Sequence, residues 1–503
     1  MTGGKTDDLQ KVWSTETKRM NTVKRRNRMR GLTIENIAKA VDAKVFLVKD
    51  SVPAPAGADL PVKEASAVVI DSRLCEPGCV FVATKGERVD GADFIGSAFE
   101  KGALAAITER TPENGAADGI WLLVEDSFAA LKKLAAFYRA QMKNTRIVGI
   151  VGSVGKTSTK ELTAAALSKK FSVLATQGNL NNEVGVPITL LRIRDNHEVA
   201  VVEMGISNFG EMSRLGAMVR PDAVLFTNIA PCHLEALGDL WGVLRAKSEI
   251  FGYVKENGIV ALNKDDPMLR SVNEVRGTRL FFYGQKSNMR AENAEDLGIE
   301  GTCFEAVYEN GEEKDRFEVR LNLPGMHMIG NALGAALIAK LFGVSGPDIA
   351  AGMETVKPAN TGRSVMETID GIDYINDAYN ASPLSVRAAI DILAGAKGRK
   401  VAVLGDMLEL GEDEKRLHAG IGEYAAGKGV DLLMCAGELS KNTAEAFKKS
   451  GSKEAITFDD TDSLVAAGLP LREGDTVLIK ASHGMHFEKI FDAAKDGRLV
   501  KSI

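Results

Sequence analysis

RIVGIVGSVGKTST, residues 146–159, is the stretch from which the rest of the chain is read. Its apolar run at 147–151, IVGIV, predicts a short buried strand. Gly152 and Gly155 then interrupt the run, and Lys156 and Thr157 open a segment, continuing KELTAAALSKK, of helical composition. Strand, glycine turn, Lys-Thr and helix is the layout of a phosphate-binding loop. Glycines let backbone N–H groups approach a polyphosphate, and the helix N-terminus adds positive partial charge. The lysine reaches the terminal phosphates, and the threonine hydroxyl can hold Mg²⁺. The predicted loop comprises Gly152, Ser153, Val154, Gly155, Lys156, Thr157 and Ser158. The strict pattern G-x-x-x-x-G-K-[ST] is not met, because Ile150 occupies the first glycine position. The competing reading is an ordinary strand–turn–helix with no ligand.

Outward from the loop, 503 residues are too many for one core and suggest about three domains. The 45% hydrophobic and 26% charged content is that of a soluble globular chain. A net charge of −5 gives no support to nucleic acid or an anionic membrane as a partner. No run approaches the roughly 18 apolar residues that a membrane span needs. Cys75, Cys79, Cys232, Cys303 and Cys435 are scattered and odd in number. They fit no complete zinc pattern and read as buried free thiols in a reducing cytoplasm. Residues 1–30 stand apart as a polar tail with a basic run, Lys24 to Arg30. They read as a disordered tail or a start set too early, with a nucleic-acid or membrane arm as the alternative.

Residues 31–125 read as a small α/β domain. LTIENIAKAV has helical spacing, with Thr33 as N-cap and Glu35 in the first turn. AVVIDSR reads as a strand ending at Asp71, Ser72 and Arg73, and CVFVATKG as one ending at Lys85 and Gly86. Such strand ends present a polar rim to a ligand or are plain turn chemistry. Residues 126–356 form the central domain. DSFAALKKLAAFYRAQMK is its leading helix, and helix then alternates with strand as in a parallel sheet. Strands EVAVVEMG, DAVLFTNIA and GIVALNKDD end at Glu203, Asn228 and Asn263. Ligands sit at the carboxyl ends of such strands, which makes Glu203, Asn228 and His233 candidates for Mg²⁺. KPANTGR breaks the pattern at 357, and residues 357–503 form a third, doubly wound unit with strands IDYINDAY, KVAVLGDM, VDLLMCAG and DTVLIKAS. The fold class is thus α/β in three domains: a central P-loop parallel-sheet ATPase domain between a small N-terminal α/β domain and a C-terminal Rossmann-like one.

Several stretches, in order, resemble the Mur ligases, the ATP-dependent amide-bond-forming enzymes of peptidoglycan synthesis. They are VGSVGKTSTKE at 151, TQGNLNNEVGVPITLL at 176, EMGISNFGEM at 203, NIAPCHLEALG at 228 and AKSEIF at 246. NKDDP at 263, GMHMIGNALGAALIA at 325, GR at 362, NDAYNASPLS at 376 and LGDMLELG at 404 follow. The Asn-rich stretch and the YNA-x-P form are similar to the branch that adds D-alanyl-D-alanine, and the D-N-P-R element of diaminopimelate-adding ligases is absent from the sequence. Four positions depart from the family pattern. Val151 stands for a usual Thr, Met328 for an Asn, His483 for a common Arg and Ser382 for a frequent Asn.

The resemblance implies that ATP phosphorylates the terminal carboxylate of UDP-N-acetylmuramoyl-tripeptide, and that the amine of D-Ala-D-Ala attacks the acyl phosphate. Lys156 would hold the β/γ phosphates, and Thr157, Glu203, His233 and Lys247 would bind Mg²⁺. It implies a carbamylated Lys247; spacing alone favours an exposed helix lysine paired with Glu249. Arg363 would reach ATP phosphates, Asp377 the ribose or phosphate region, and His327 and Asn331 the adenine. Asp71, Ser72, Arg73, Lys85 and Gly86 match the uridine-nucleotide rim. Asn179, Asn181 and Asn182 match the muramoyl-peptide arm, and Tyr379, Asn380 and Ser382 the dipeptide end. The implied protein is a cytoplasmic monomer without nucleic-acid partner or membrane insertion, serving cell-wall biogenesis. Another Mur-type amino-acid ligase, or a nucleotide-binding switch without ligase activity, are the alternative readings.

Overall fold

The computed structural model describes residues 29–56, 60–86, 89–358, 365–451 and 454–500. Residues 1–28 of the predicted tail, and Arg363, lie outside them. Met29 is fully buried, and its N–H donates to the Ala65 carbonyl at 3.0 Å. The described residues divide into two compact units, one within 29–147, 171–202 and 214–220, the other within 148–170, 203–213 and 221–500.

The first unit holds a six-stranded sheet in the order Val52–Pro55, Lys44–Lys49, Gly119–Leu123, Ala105–Thr108, Val80–Val82, Val68–Val69. Lys44–Lys49 pairs antiparallel with both neighbours; the other pairs are parallel. Phe81, Ile95, Trp121, Cys75 and Cys79 fill its core. Thr33 caps the helix Ile34–Val41, its hydroxyl accepting the Asn36 N–H at 3.3 Å. Both predicted rim strands stop early, at Val69 and Val82. The reason at the first is local: the Asp71 carboxylate accepts the Arg73 N–H at 2.9 Å and turns the chain into the short 3₁₀ helix Ser72–Leu74. The helix Ser127–Gln141 packs on Ile34–Val41 and on Gly185–Leu191.

In the second unit the central sheet runs Glu313–Leu321, Thr302–Asn310, Met289–Asp296, Arg279–Tyr283, Ile259–Asn263, Ala223–Phe226, and then the loop strand Arg146–Val151. Val151, Phe226 and Leu262 lie abreast in parallel register, so three strand ends share one edge. The expected all-parallel alternation fails beyond Met289, where three consecutive strands pair antiparallel. Glu313–Leu321 alternates buried Phe317, Val319 and Leu321 with exposed charge, and Met289–Asp296 is polar along most of its length, so neither carries an apolar run to announce it.

The C-terminal sheet runs Val365–Ile369, Ile372–Asn376, Thr476–Lys480, Lys400–Gly405, Leu432–Ala436, Glu454–Phe458, parallel except for the first hairpin. The central strands are buried almost throughout, and their apolar residues divide between two cores. Val401, Val403, Val477 and Ile479 face one layer; Ala402, Leu404 and Leu478 face the other. That is the signature of a sheet covered on both sides. Among the described residues no helix is long and apolar enough to cross a membrane.

Candidate active site

The loop turns through two left-handed glycines, Gly152 at φ 150° and Gly155 at φ 83°. Neither has room for a side chain. A Cβ on Gly152 would lie 1.9 Å from Thr227 Oγ1, and one on Gly155 2.7 Å from Asn331 Oδ1. The end of the strand Ala223–Phe226 fastens the loop. Thr227 Oγ1 donates to the Val154 carbonyl at 2.6 Å, Asn228 Nδ2 donates to it at 3.0 Å, and Asn228 Oδ1 accepts the Val154 N–H at 3.0 Å. The Ser153 N–H donates to the Asn228 carbonyl at 3.0 Å. Asn228 was expected among the Mg²⁺ candidates; instead, both ends of its amide brace the loop.

The helix Lys156–Leu167 starts at Gly155 with no side-chain cap, which leaves its first N–H groups directed at the loop mouth. Lys156 Nζ donates to the carbonyls of Gly152 and Ser153 at 2.9 and 3.1 Å, so the ammonium sits over the loop. Thr157 Oγ1 donates to Glu203 Oε1 at 3.2 Å. Glu203 is 1% exposed and closes the strand Val199–Glu203; the next N–H, from Met204, donates to the Ile150 carbonyl at 2.9 Å. Ser158 is buried in the same helix turn.

Lys247 departs from the reading based on spacing. It is 1% exposed, on the helix Leu240–Ser248, and Glu249 is not its partner. Glu249 accepts the N–H groups of Gly210 and Ser213 at 2.9 and 3.0 Å, and the Ser213 hydroxyl at 2.9 Å. Among the described residues no hydrogen bond or ion pair reaches the Lys247 ammonium, and burial pushes its pKa down. His233 stands at φ 52° ahead of the short helix Leu234–Leu237, its Nδ1 against the Glu409 carboxylate. Burial lowers its pKa, and the Glu409 charge acts the other way.

Asn331, on the helix His327–Leu341, borders Gly155, and its amide contacts Met328 Sδ at 3.5 Å; His327 is the exposed first residue of that helix. Asp377 follows the strand Ile372–Asn376 and is buried against Lys480, Nζ to Oδ2 2.5 Å. The same ammonium donates to the Asn380 carbonyl at 2.8 Å. Tyr379 is partly exposed with its ring edge-on to His483, and Ser382 caps the helix Pro383–Ala394.

In the first unit, Asp71 is held near pKa 2 by hydrogen bonds from the exposed Arg73; Ser72 is buried. The backbones of Lys85 and Asp90 pair in an isolated antiparallel β-bridge, and the Gly86 N–H donates to the Val89 carbonyl at 2.9 Å. Asn182 Oδ1 accepts the Gly185 N–H at 2.9 Å at the head of the helix Gly185–Leu191. Asn179 and Asn181 lie in the preceding turn, joined by a backbone hydrogen bond of 2.7 Å. Cys75, Cys79 and Cys435 are buried free thiols as expected, whereas Cys232 and Cys303 are only half-buried. Cys232 Sγ contacts Ser153 Oγ at 3.3 Å.

Two residues of this arrangement were not found by reading the sequence: Glu409 and Lys480. A lone charge ending the apolar strand TVLIK was a usable signal for Lys480; for Glu409 there was none, since its partner is far off in sequence. Among the described residues no three His, Cys, Asp or Glu side chains gather to hold a metal. One carboxylate, one hydroxyl and one imidazole beside a phosphate loop suit a Mg²⁺ ion that takes its remaining ligands from phosphate and water. The anion-receiving loop fits a nucleoside triphosphate.

A glycine loop with an overhanging lysine, joined through threonine to a buried glutamate, is machinery for using a nucleoside triphosphate. Three family models match the chain. They are the Mur ligase family catalytic domain over residues 64–139, the Mur ligase middle domain over 150–339, and the Mur ligase glutamate ligase domain over 363–483. The UDP-N-acetylmuramoyl-tripeptide–D-alanyl-D-alanine ligase of Bacillus subtilis is 35% identical over 84% of this chain and 92% of its own. That of Escherichia coli is 36% identical over 88% and 95%. Among solved structures, MurF from Acinetobacter baumannii superposes with a TM-score of 0.79 at 29% identity, over 92% of this chain and 99% of that one. MurF from Thermotoga maritima in complex with ADP gives 0.70 at 30%, over 86% and 97%. The chain belongs to the Mur ligase family, whose members are ATP-dependent ligases.

Proposed function

We propose that the chain joins D-Ala-D-Ala to UDP-N-acetylmuramoyl-tripeptide with hydrolysis of ATP to ADP and phosphate, in cytoplasmic peptidoglycan precursor synthesis, as a monomer. The observation that carries this reading is near-full-length likeness to ligases of that name, joined to an intact phosphate loop. The tripeptide carboxylate attacks the γ-phosphorus, ADP leaves, and an acyl phosphate forms. The dipeptide amine then adds to the acyl carbon, and the tetrahedral adduct expels phosphate. Two anions meet in the first step, so the protein's task is alignment and charge neutralisation. Backbone N–H groups of residues 152–158 and the Lys156 ammonium receive the phosphates. Asn331 and His327 border the base. Asp377 orients the nucleotide, held by Lys480, and Arg363 adds a further positive charge.

Thr157, Glu203 and His233 would hold Mg²⁺, which supplies charge neutralisation when bound. Lys247 would join them as a carbamate: its neutral amine adds to the carbon of CO₂, one N–H proton leaves, and a cation position becomes an anion. Its burial without an ion pair supports this, because the uncharged amine is the reactive form. Asp71, Ser72, Arg73, Lys85 and Gly86 would meet the uridine nucleotide. Asn179, Asn181 and Asn182 would guide the peptide arm, and Tyr379, Asn380 and Ser382 would receive the dipeptide. The corresponding domains are 31–125, 126–356 and 357–503.

A coupled phosphate-release assay tests the reading, with ATP, UDP-N-acetylmuramoyl-tripeptide and D-Ala-D-Ala omitted in turn. Release should require all three. Turnover with a single amino acid in place of the dipeptide would assign a different ligase, and binding of ATP with no substrate-stimulated release would leave only a nucleotide switch.

A further inference from the structure

The loop of residues 406–411, after the strand Lys400–Gly405, is unusually well anchored within the C-terminal sheet. Asp406 Oδ1 accepts the Ser440 N–H at 2.7 Å, and its carbonyl accepts the Ser482 N–H at 3.0 Å. The Met407 N–H donates to His418 Nε2 at 2.9 Å, and the Leu408 N–H to Ser482 Oγ at 2.9 Å. The next residue, Glu409, stands in the left-handed region at φ 63° and faces His233, itself at φ 52°. Two non-glycine residues in a disfavoured conformation thus meet, and such conformations persist where surroundings enforce them. They meet at two points. The Leu234 N–H donates to the Glu409 carbonyl at 3.0 Å, and the Glu409 carboxylate takes His233 Nδ1.

As a stabilising ion pair this contact is worth little. The side chains are 57% and 30% exposed, and exposed pairs contribute little to stability. Its consequence for the imidazole is larger. A carboxylate on Nδ1 fixes the ring's tautomer and orientation, and leaves Nε2 as the nitrogen able to coordinate. We propose that Glu409 is a positioning residue: anchored in the C-terminal sheet, it sets His233 to receive the metal, so that seating this loop completes a ligand of the central sheet. This rests on the reading of His233 as a metal ligand.

The test uses the full chain, with Mn²⁺ as probe and ADP present, and free Mn²⁺ followed by electron paramagnetic resonance. Glu409→Ala should weaken Mn²⁺ binding about 10- to 100-fold, the usual loss when the carboxylate behind a ligating histidine is removed. Glu409→Gln, whose amide oxygen still accepts from Nδ1–H, should recover most of it. Glu412→Ala, removing an exposed carboxylate of the next turn, should change nothing. In a His233→Ala background, Glu409→Ala should add no further loss. Wild-type affinity in Glu409→Ala, or an equal loss in the His233→Ala background, overturns the proposal and leaves the contact a docking stitch. Absence of Mn²⁺ binding by the wild type, or binding indifferent to His233→Ala, instead removes the metal reading of His233 and the inference with it.

Discussion

Replacing Gly152 by Ala tests whether the loop's shape, rather than its composition, makes the nucleotide site. At φ 150° an L-residue is strained by about 1–3 kcal/mol. The added Cβ would also fall 1.9 Å from Thr227 Oγ1 and 3.1 Å from Thr227 Cβ, so that side chain must turn away. Turning it breaks the 2.6 Å bond to the Val154 carbonyl, worth about 0.5–1.5 kcal/mol net. The sum is about 2–4 kcal/mol, concentrated in the segment that receives phosphate. If it is released by a shift of the loop, ADP affinity drops by about 30- to 1,000-fold. Calorimetric titration of ADP into Gly152→Ala reads that loss. Gly311→Ala is the matched control: its φ of 62° is also left-handed, but nothing lies within 4 Å of the new Cβ. It should lose about 1–2 kcal/mol of stability and no ADP affinity. A folded Gly152→Ala protein binding ADP within about threefold of the wild type would refute the argument, since that is under 1 kcal/mol.

Further outcomes follow from the same structure. Lys480→Met strips the partner from a buried Asp377, which should cost about 3–5 kcal/mol in urea unfolding, and adding Asp377→Asn should return part of it. Lys247→Ala should lower phosphate release by about a hundredfold or more, and short carboxylic acids should restore some of it; unchanged activity rules out a role for this amine. His418 is buried, its Nε2 accepting the Met407 N–H and its Nδ1 meeting the Glu414 carbonyl at 2.7 Å, and burial lowers its pKa from 6.5. The unfolded chain therefore takes up the proton first. Stability should be full above about pH 6.5 and fall on acidification, by up to about 1.4 kcal/mol per pH unit for this group. Urea unfolding of His418→Leu between pH 7 and 5 should show a shallower slope than the wild type.

What the sequence made legible was local. IVGIV followed by two glycines and Lys-Thr located the loop and its helix, because apolar runs and left-handed turns are dictated within a few residues. The apolar strands of the C-terminal sheet were readable for the same reason. The antiparallel strands from Met289 to Leu321 were not read as such, because charge on their open face looks like any solvated surface. The burial of Lys247 was hidden too. Spacing offered Glu249 as a partner, but tertiary packing gives that carboxylate to Gly210 and Ser213. Asn228 occupied the strand end expected of a metal ligand, yet its amide matched the Val154 backbone better. Each miss is a choice between partners that only the folded chain brings within reach.

The Asp377–Lys480 pair also sets an order in time. The phosphate loop leaves the ribosome long before Lys480 does, and at about 5–20 residues per second the gap is tens of seconds. During that interval the nascent chain can fold its glycine loop, but the segment carrying Asp377 has no cation to settle against. The surroundings of Asp377 are thereby completed only with the last-made strand, after the central sheet has already left the ribosome.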